Sequence, residues 1–257
     1  MTEWISGAAR DEAAASFHGA VDRLTTRIPG AYTRRGASGT RLVFTTFPLA
    51  TLNTVCAGHD LDLGEVERCA QELSQTGAPW SILVRGDVDP TLRRLAGRYG
   101  LTGTASLPLL VWDAMPLPSA VSAGATARKV SGAGSEVFAA ALAAGFGMSA
   151  EVARLLALPT LLDAPGMSGY VLDLDGEAIA TGFNVLVGDH VGMFNGSVAP
   201  QHRGKGHYRA LVTARLQDAV ASGARHAFAQ TSPMSRPLYE SLGFRLAESW
   251  TYLMSAD

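Results

Sequence analysis

The sequence predicts an α/β (α+β) protein in two parts, and three observations carry that reading. A strand ending at Val198-Ala199-Pro200 runs through the turn Gln201-His202-Arg203-Gly204-Lys205-Gly206 into a long amphipathic segment. Stretches of alternating polarity flank Asp175-Gly176 and Gly188-Asp189, which are hairpin signals and imply antiparallel strands. A faint internal repeat pairs one helix–strand unit in each half of the chain.

The second half is read element by element. Ala125–Val130 is its first strand. Ser135–Ala144 and Ser149–Leu158 are short helices, each opened by a serine of capping type. Tyr170–Gly176, Glu177–Val187 and His190–Val198 are three strands joined by tight turns, and the third leads into the glycine turn. A second helix ends in Leu238-Tyr239-Glu240-Ser241-Leu242-Gly243-Phe244 and passes into another strand.

In the first half, Thr76–Val84 parallels Ser222–Gln230. Pro90-x-x-Arg93-x-Leu95 with Gly100-Leu101 parallels Pro233-x-x-Arg236-x-Leu238 with Gly243-Phe244. An apolar strand follows each, Leu101–Trp112 in the first copy, with Leu110 matching Leu253. The Pro-, Ser- and Gly-rich stretch from Met115 to Gly124 reads as a linker. The expected division is therefore residues 1–114, a linker at 115–124, and residues 125–257. Composition alone allows one large domain or two.

The glycine turn has a definite chemistry. Consecutive backbone N–H groups and a positive helix end around one point suit a phosphate. Gly204 and Gly206 permit positive φ and a close approach of an anion to the backbone. Arg203 and Lys205 place cations there. A Walker-type loop is excluded because Lys205 is followed by Gly206 and His207, and the three-glycine dinucleotide fingerprint is absent.

The Arg203-Gly204-Lys205-Gly206 turn, followed by Leu238-Tyr239 and Gly243-Phe244, resembles the two acetyl-CoA motifs of the GNAT superfamily of N-acetyltransferases. The resemblance covers the second half fully. It implies two GNAT-like domains, each a mixed, mostly antiparallel sheet flanked by helices, the C-terminal one complete and the N-terminal one degenerate. It implies acetyl-CoA as co-substrate, a small-molecule or peptide amine as acceptor, and Tyr239 as general acid. When an amine attacks a thioester a thiolate is expelled, and a phenol that stays protonated at neutral pH can protonate that sulfur.

The resemblance also assigns the cofactor-binding residues. Backbone groups at Gly196, Ser197 and Val198 are expected to hold the pantetheine amides. The turn at Arg203, Gly204, Lys205, Gly206, His207 and Tyr208 is expected at the pyrophosphate. Ser232 stands where many relatives have asparagine, and its hydroxyl can still bond the pantetheine or a water. His207-Tyr208-Arg209 replace the usual small residues, so His207 either touches the cofactor or only covers the helix end. The general base stays open between His190 or Glu177 as a proton relay and a partly neutral amine that needs little help, while Asn195 is a candidate to orient the acceptor or bind the oxyanion. A homodimer is also left open.

In the first half the matching turn reads Gly58-His59-Asp60-Leu61-Asp62-Leu63-Gly64-Glu65, and Ala96 stands opposite Tyr239. Carboxylates at a helix start suit capping and would repel a pyrophosphate. This half is expected to be a packing partner, or one wall of the acceptor cleft, and not a second active site.

A formal charge of −2 without a basic run argues against nucleic-acid binding. The N-terminus lacks an apolar signal core and no span is apolar enough for a membrane, so a cytoplasmic protein is expected. Cys56 and Cys69 read as small hydrophobes, with no metal site. The many Ala and Gly, with Arg outnumbering Lys, suggest a high-GC bacterial genome. Two function classes remain: an N-acetyltransferase, or a GNAT-fold protein that binds acyl-CoA as a sensor or partner subunit. The acceptor, and any acyl group other than acetyl, are not specified by these residues.

Overall fold

The computed structural model describes residues 6–58, 60–113 and 124–256. The first half holds α1 (Gly7–Thr25), β1 (Tyr32–Arg35), β2 (Arg41–Phe44), β3 (Thr54–Cys56) and α2 (Leu63–Ser74). It continues with β4 (Ser81–Arg85), α3 (Pro90–Arg98), β5 (Gly103–Ser106) and β6 (Leu109–Asp113). The second half opens with β7 (Ala125–Val130), α4 (Ser135–Phe146), α5 (Ala150–Leu156) and α6 (Pro159–Leu162). Then come β8 (Met167–Leu174), β9 (Glu177–Val187), β10 (His190–Val198) and α7 (His207–Ala221). The chain closes with β11 (His226–Gln230), α8 (Arg236–Ser241), β12 (Arg245–Glu248) and β13 (Trp250–Met254).

These elements form two compact units that are interleaved in sequence. One comprises Met1–Arg27 and Leu110–Arg245, the other Ile28–Leu109 and Leu246–Asp257. The first half of the chain therefore gives its N-terminal helix and its last strand to the unit that carries the glycine turn. Most of the expected linker lies outside the described residues.

In the larger unit the strands follow the order β6-β11-β10-β9-β8-β7. The run β7 to β10 is antiparallel, and β10 with β11 is parallel. Asp175 and Gly176 both have positive φ, which closes the β8–β9 turn as a type I′ turn requires. Helices α1, α4 and α7 pack on β9 and β10. Phe17 of α1 meets Phe194 and Phe228 at centroid distances of 6.1 and 6.2 Å, so α1 is part of this core. Ser149 caps α5 as expected, its Oγ accepting from Val152 N at 3.2 Å. Ser135 does not cap α4: it is the first helical residue, behind Gly134.

The smaller unit has the order β1-β2-β3-β4-β13-β5. β3 and β4 are parallel, and β13 runs antiparallel to both β4 and β5. Val66, Ala70 and Leu73 of α2 and Leu92, Leu95 and Ala96 of α3 bury one face each over Ile82, Val84 and Leu253. Arg85 Nε donates to Glu248 Oε2 at 2.6 Å.

The expected single strand Leu101–Trp112 is two strands, because Pro108 has no N–H for a ladder. β6, with Leu109, Leu110, Val111 and Trp112 all buried, joins the larger unit's sheet, and β13 joins the smaller unit's. The repeat-related Leu110 and Leu253 therefore sit in corresponding strands that have each crossed to the other unit. Among the described residues no helix is long and apolar enough to cross a membrane.

Candidate active site

The site is built where β10 breaks its ladder. Pairing with β9 shifts between Phe194 and Ser197, and Asn195 takes φ 49°, a conformation uncommon for a residue with a side chain. Thr181 Oγ1 donates to the Asn195 carbonyl at 3.0 Å and lies 2.7 Å from Ser197 Oγ. Arg215, fully buried on α7, donates from Nη2 to the carbonyls of Phe183 (2.8 Å) and Phe194 (3.2 Å). Its Nε donates to Asn184 Oδ1 at 2.9 Å, and Asn184 Nδ2 returns a bond to the Arg215 carbonyl at 3.1 Å. The bulge is thus held from beneath by side chains of β9 and α7.

Two glycines let neighbours close on this bulge. A Cβ at Gly145 would stand 2.2 Å from Ser197 Oγ, and one at Gly196 would stand 1.9 Å from the Tyr208 hydroxyl. Neither position admits a side chain while those neighbours stay in place.

After β10 the turn behaves as its glycines require, with Gly204 at φ 73° and Gly206 at φ 82°. Gly206 is the N-cap of α7, no side chain caps it, and no acidic residue stands in the first turn. The first N–H groups of a helix have no intrahelical acceptor, so this end can receive an anion. Lys205 is exposed beside it. Arg203 is used structurally: Nη2 donates to the Gly145 carbonyl at 2.8 Å and Nε to the Val198 carbonyl at 3.2 Å.

A cleft of about 720 Å³ opens at this turn. Of the residues singled out from sequence, Gly196, Ser197, Val198, Arg203, Gly204, Gly206, His207, Tyr208 and Ser232 line it. Lys205 and Tyr239 are not in its wall. Tyr239 is only 3% exposed, with the Phe244 ring edge-on at 4.9 Å. Its hydroxyl lies 3.0 Å from that of Tyr208, which does reach the cleft. Burial, and then the neighbouring Tyr239, hold the Tyr208 phenol well above the ordinary value, with Arg215 opposing them. Ser232 is engaged with Ser235 in the turn that opens α8.

Other sequence candidates lie elsewhere. His190 is at the far end of β10 from Val198, on the order of 25 Å away at the usual strand rise. It lines a separate cavity, hydrogen-bonded to Asp189 and 4.7 Å from the His226 ring. Glu177 is exposed at the start of β9, and no Asp or Glu lines the cleft among the described residues. Sequence reading passed over Gly145, Phe146, Met234 and Arg215. Phe146 and Met234 are 51% and 72% exposed at the cleft, and only the helix-ending Gly147 after Phe146 hinted at an open edge.

In the smaller unit the start of α2 carries a side-chain cap. Asp62 caps that helix by accepting from Glu65 N at 3.0 Å. The Glu65 carboxylate accepts from Ala37 N and Ser38 N at 2.7 and 3.2 Å.

The sequence profile described as "Acetyltransferase (GNAT) family" matches residues 131–244. Among curated proteins no sequence relative is detected. A GCN5-related N-acetyltransferase from Kribbella flavida is 17% identical, with 98% of this chain and 97% of that chain covered and a TM-score of 0.68. A protein of unknown function from Staphylococcus epidermidis is 10% identical, with 89% and 95% covered and a TM-score of 0.64. A tandem GNAT protein from the clavulanic acid biosynthesis pathway is 16% identical, with 92% and 89% covered and a TM-score of 0.52. At these identities the likeness is one of fold, and it extends over both units: two GNAT-like domains.

Proposed function

Residues 131–244 belong to the GNAT acetyltransferase family, and from that membership we propose that this chain transfers an acetyl group from acetyl-CoA to an amine of a small molecule or peptide. The observation that carries the reading is a single cleft. The uncapped N-terminus of α7 opens into it at one place, and the Tyr208 hydroxyl, backed by that of Tyr239 at 3.0 Å, stands at its wall.

Acetyl-CoA, when bound, supplies the acetyl group already activated as a thioester. Each surrounding feature of the chain fits a different part of that molecule. The N–H groups of Gly204 to His207, with Lys205 beside them, suit a diphosphate. Backbone groups from Gly196 to Val198, on the edge of β10 that β11 pairs only as far as Gly192, suit the amides and the carbonyl of an extended arm. Ser232 bounds the cleft on the side of α8. The paired hydroxyls of Tyr239 and Tyr208 hold a donor for the departing sulfur. The described residues put no carboxylate in the wall, so the acceptor amine arrives neutral or gives its proton to water or to an imidazole of the cleft, His202 or His207. In the smaller unit the Asp62 cap on α2 and the Glu65 carboxylate on the Ala37 and Ser38 N–H groups engage donors that a second diphosphate would need.

Calorimetry with acetyl-CoA is expected to give one site per chain, and Arg203→Glu with Gly204→Asp to abolish it. Two sites, or none, would sink the reading. The shielding of Tyr239 favours one other function, an acyl-CoA-binding protein that does not transfer. Thiol release with a panel of amines separates the two, since a sensor binds acetyl-CoA and releases no thiol.

A further inference from the structure

We propose that Tyr208, on the first turn of α7, is the residue that faces the leaving sulfur, with Tyr239 and Arg215 acting behind it. The inference rests on the acyl-CoA reading above and concerns which hydroxyl does the work.

Geometry sets the order of the three groups. Tyr208 lines the cleft and Tyr239 does not. The Tyr208 hydroxyl is held against the backbone of Gly196, at the bulge, where no Cβ would leave it room. The Tyr239 hydroxyl is 3.0 Å behind it, so Tyr239 can donate to the Tyr208 oxygen while Tyr208 turns its own hydrogen to the cleft. Arg215 is fully buried, its charge reaches the Tyr208 hydroxyl, and its Nη1 has no hydrogen-bond partner among the described residues. Its Nε and Nη2 donate to an amide oxygen and two carbonyls, none of which cancels its charge. A hydroxyl that accepts from a second hydroxyl and lies beside a buried cation has its own O–H polarised outward.

Burial keeps the Tyr208 phenol protonated, so it serves as a fixed hydrogen-bond donor. As the C–N bond forms and the C–S bond breaks, the electron pair moves to sulfur and the amine proton goes to solvent. The Tyr208 O–H then faces the new charge on sulfur, as an oxyanion-hole donor faces a developing anion. Tyr239 touches no reacting atom in this scheme and is a positioning residue.

The test uses CoA itself and needs no acceptor. Thiolate absorbance in the ultraviolet, followed against pH with CoA bound to the full chain, reads the pKa of the bound thiol. Tyr208→Phe is expected to raise it by about one to two units, the worth of one hydrogen bond to a charged group. Tyr239→Phe is expected to raise it by less. Both variants keep their rings, and thermal unfolding checks that both fold. An unchanged thiol in Tyr208→Phe, or an equal or larger rise in Tyr239→Phe, overturns the assignment and leaves acyl-CoA binding intact. If CoA does not bind the wild-type chain, the acyl-CoA reading fails first.

Discussion

The Arg203 guanidinium donates to the backbone carbonyl of Gly145, at 2.8 Å, and so ties the glycine turn to the last turn of α4. A second bond, to the carbonyl of Val198 at 3.2 Å, ties the turn to the end of β10. An arginine that satisfies two carbonyls shapes a loop more than it attracts a ligand. Lys205, exposed on the same turn, is free to act by charge alone.

The two residues should therefore weaken acetyl-CoA binding in different ways. Lys205→Ala is expected to lower affinity severalfold and to flatten its dependence on salt, because a screened charge is removed. Arg203→Ala is expected to lower affinity at every salt concentration and to lower the unfolding temperature by a few degrees, from the loss of two bonds worth about 1 kcal/mol each. Calorimetry at two ionic strengths distinguishes them. Equal salt slopes in both variants would mean that Arg203 meets the cofactor directly.

Gly196 and Tyr208 give a sharper test. Gly196→Ala brings a methyl to 1.9 Å from the Tyr208 hydroxyl, so the ring has to swing off Tyr239. Overpacking of this kind costs about 1–3 kcal/mol. In a Tyr208→Phe background the hydroxyl is gone, and the cost of Gly196→Ala is expected to fall by about half. A double-mutant cycle by chemical denaturation measures that coupling. Strict additivity would mean that the two residues do not touch in solution.

The glycine turn and the three strands leading to it were legible in the sequence, because each rests on local chemistry. Positive φ at Gly204 and Gly206 and the hairpin at Asp175-Gly176 are demands that only a few residues meet. Arg215 was not legible. An arginine in an amphipathic segment reads as surface, and only the two strands beneath it, β9 and β10, supply carbonyls to bury it against. Nor could the pattern say which sheet each terminal strand joins. Leu109–Trp112 and Trp250–Leu253 both bury large apolar side chains, and apolarity fixes burial without naming the neighbour. Gly145 and Gly196 gave no local sign, since their need comes from Ser197 and Tyr208 closing on them.

In the smaller unit, Glu65 carries a pH dependence. Its carboxylate is 8% exposed and accepts from the Ser38 hydroxyl and from two backbone N–H groups. A Cβ at Gly36 would stand 2.1–2.3 Å from the same carboxylate. The Ser38 hydroxyl bond foremost holds its pKa below the ordinary glutamate value, with burial opposing. A depressed folded pKa stabilises above the unfolded value and loses that stabilisation as pH falls through the folded one. Wild-type stability should therefore decline on acidification below about 4.5, the ordinary value. Glu65→Gln should be less stable at neutral pH and decline less. Parallel curves for the two proteins between neutral and acid pH would remove Glu65 from the account.

The interleaving of the units predicts how the chain responds to truncation. A protein beginning near Ala120 would look like a complete catalytic half by sequence. It would lack α1 and β6, and it would keep β13 without β4 and β5, the two strands with which β13 pairs. Phe17 would no longer cover Phe194 and Phe228, and Leu110 and Trp112 would be gone from the core. Each such side chain is worth about 1.5–3 kcal/mol on burial, so three lost together approach the whole stability of an ordinary domain. β13, with Trp250, Tyr252 and Leu253 buried in the intact chain, would present an unpaired apolar edge. The fragment should aggregate or show helical signal without fixed aromatic packing, read by size-exclusion chromatography and near-ultraviolet circular dichroism. Adding back residues 1–113 as a separate chain should restore a soluble complex, because the missing helix and strand are then supplied in trans. A fragment that is monodisperse alone and unfolds cooperatively would mean that the exchanged strands and α1 are dispensable to the larger unit.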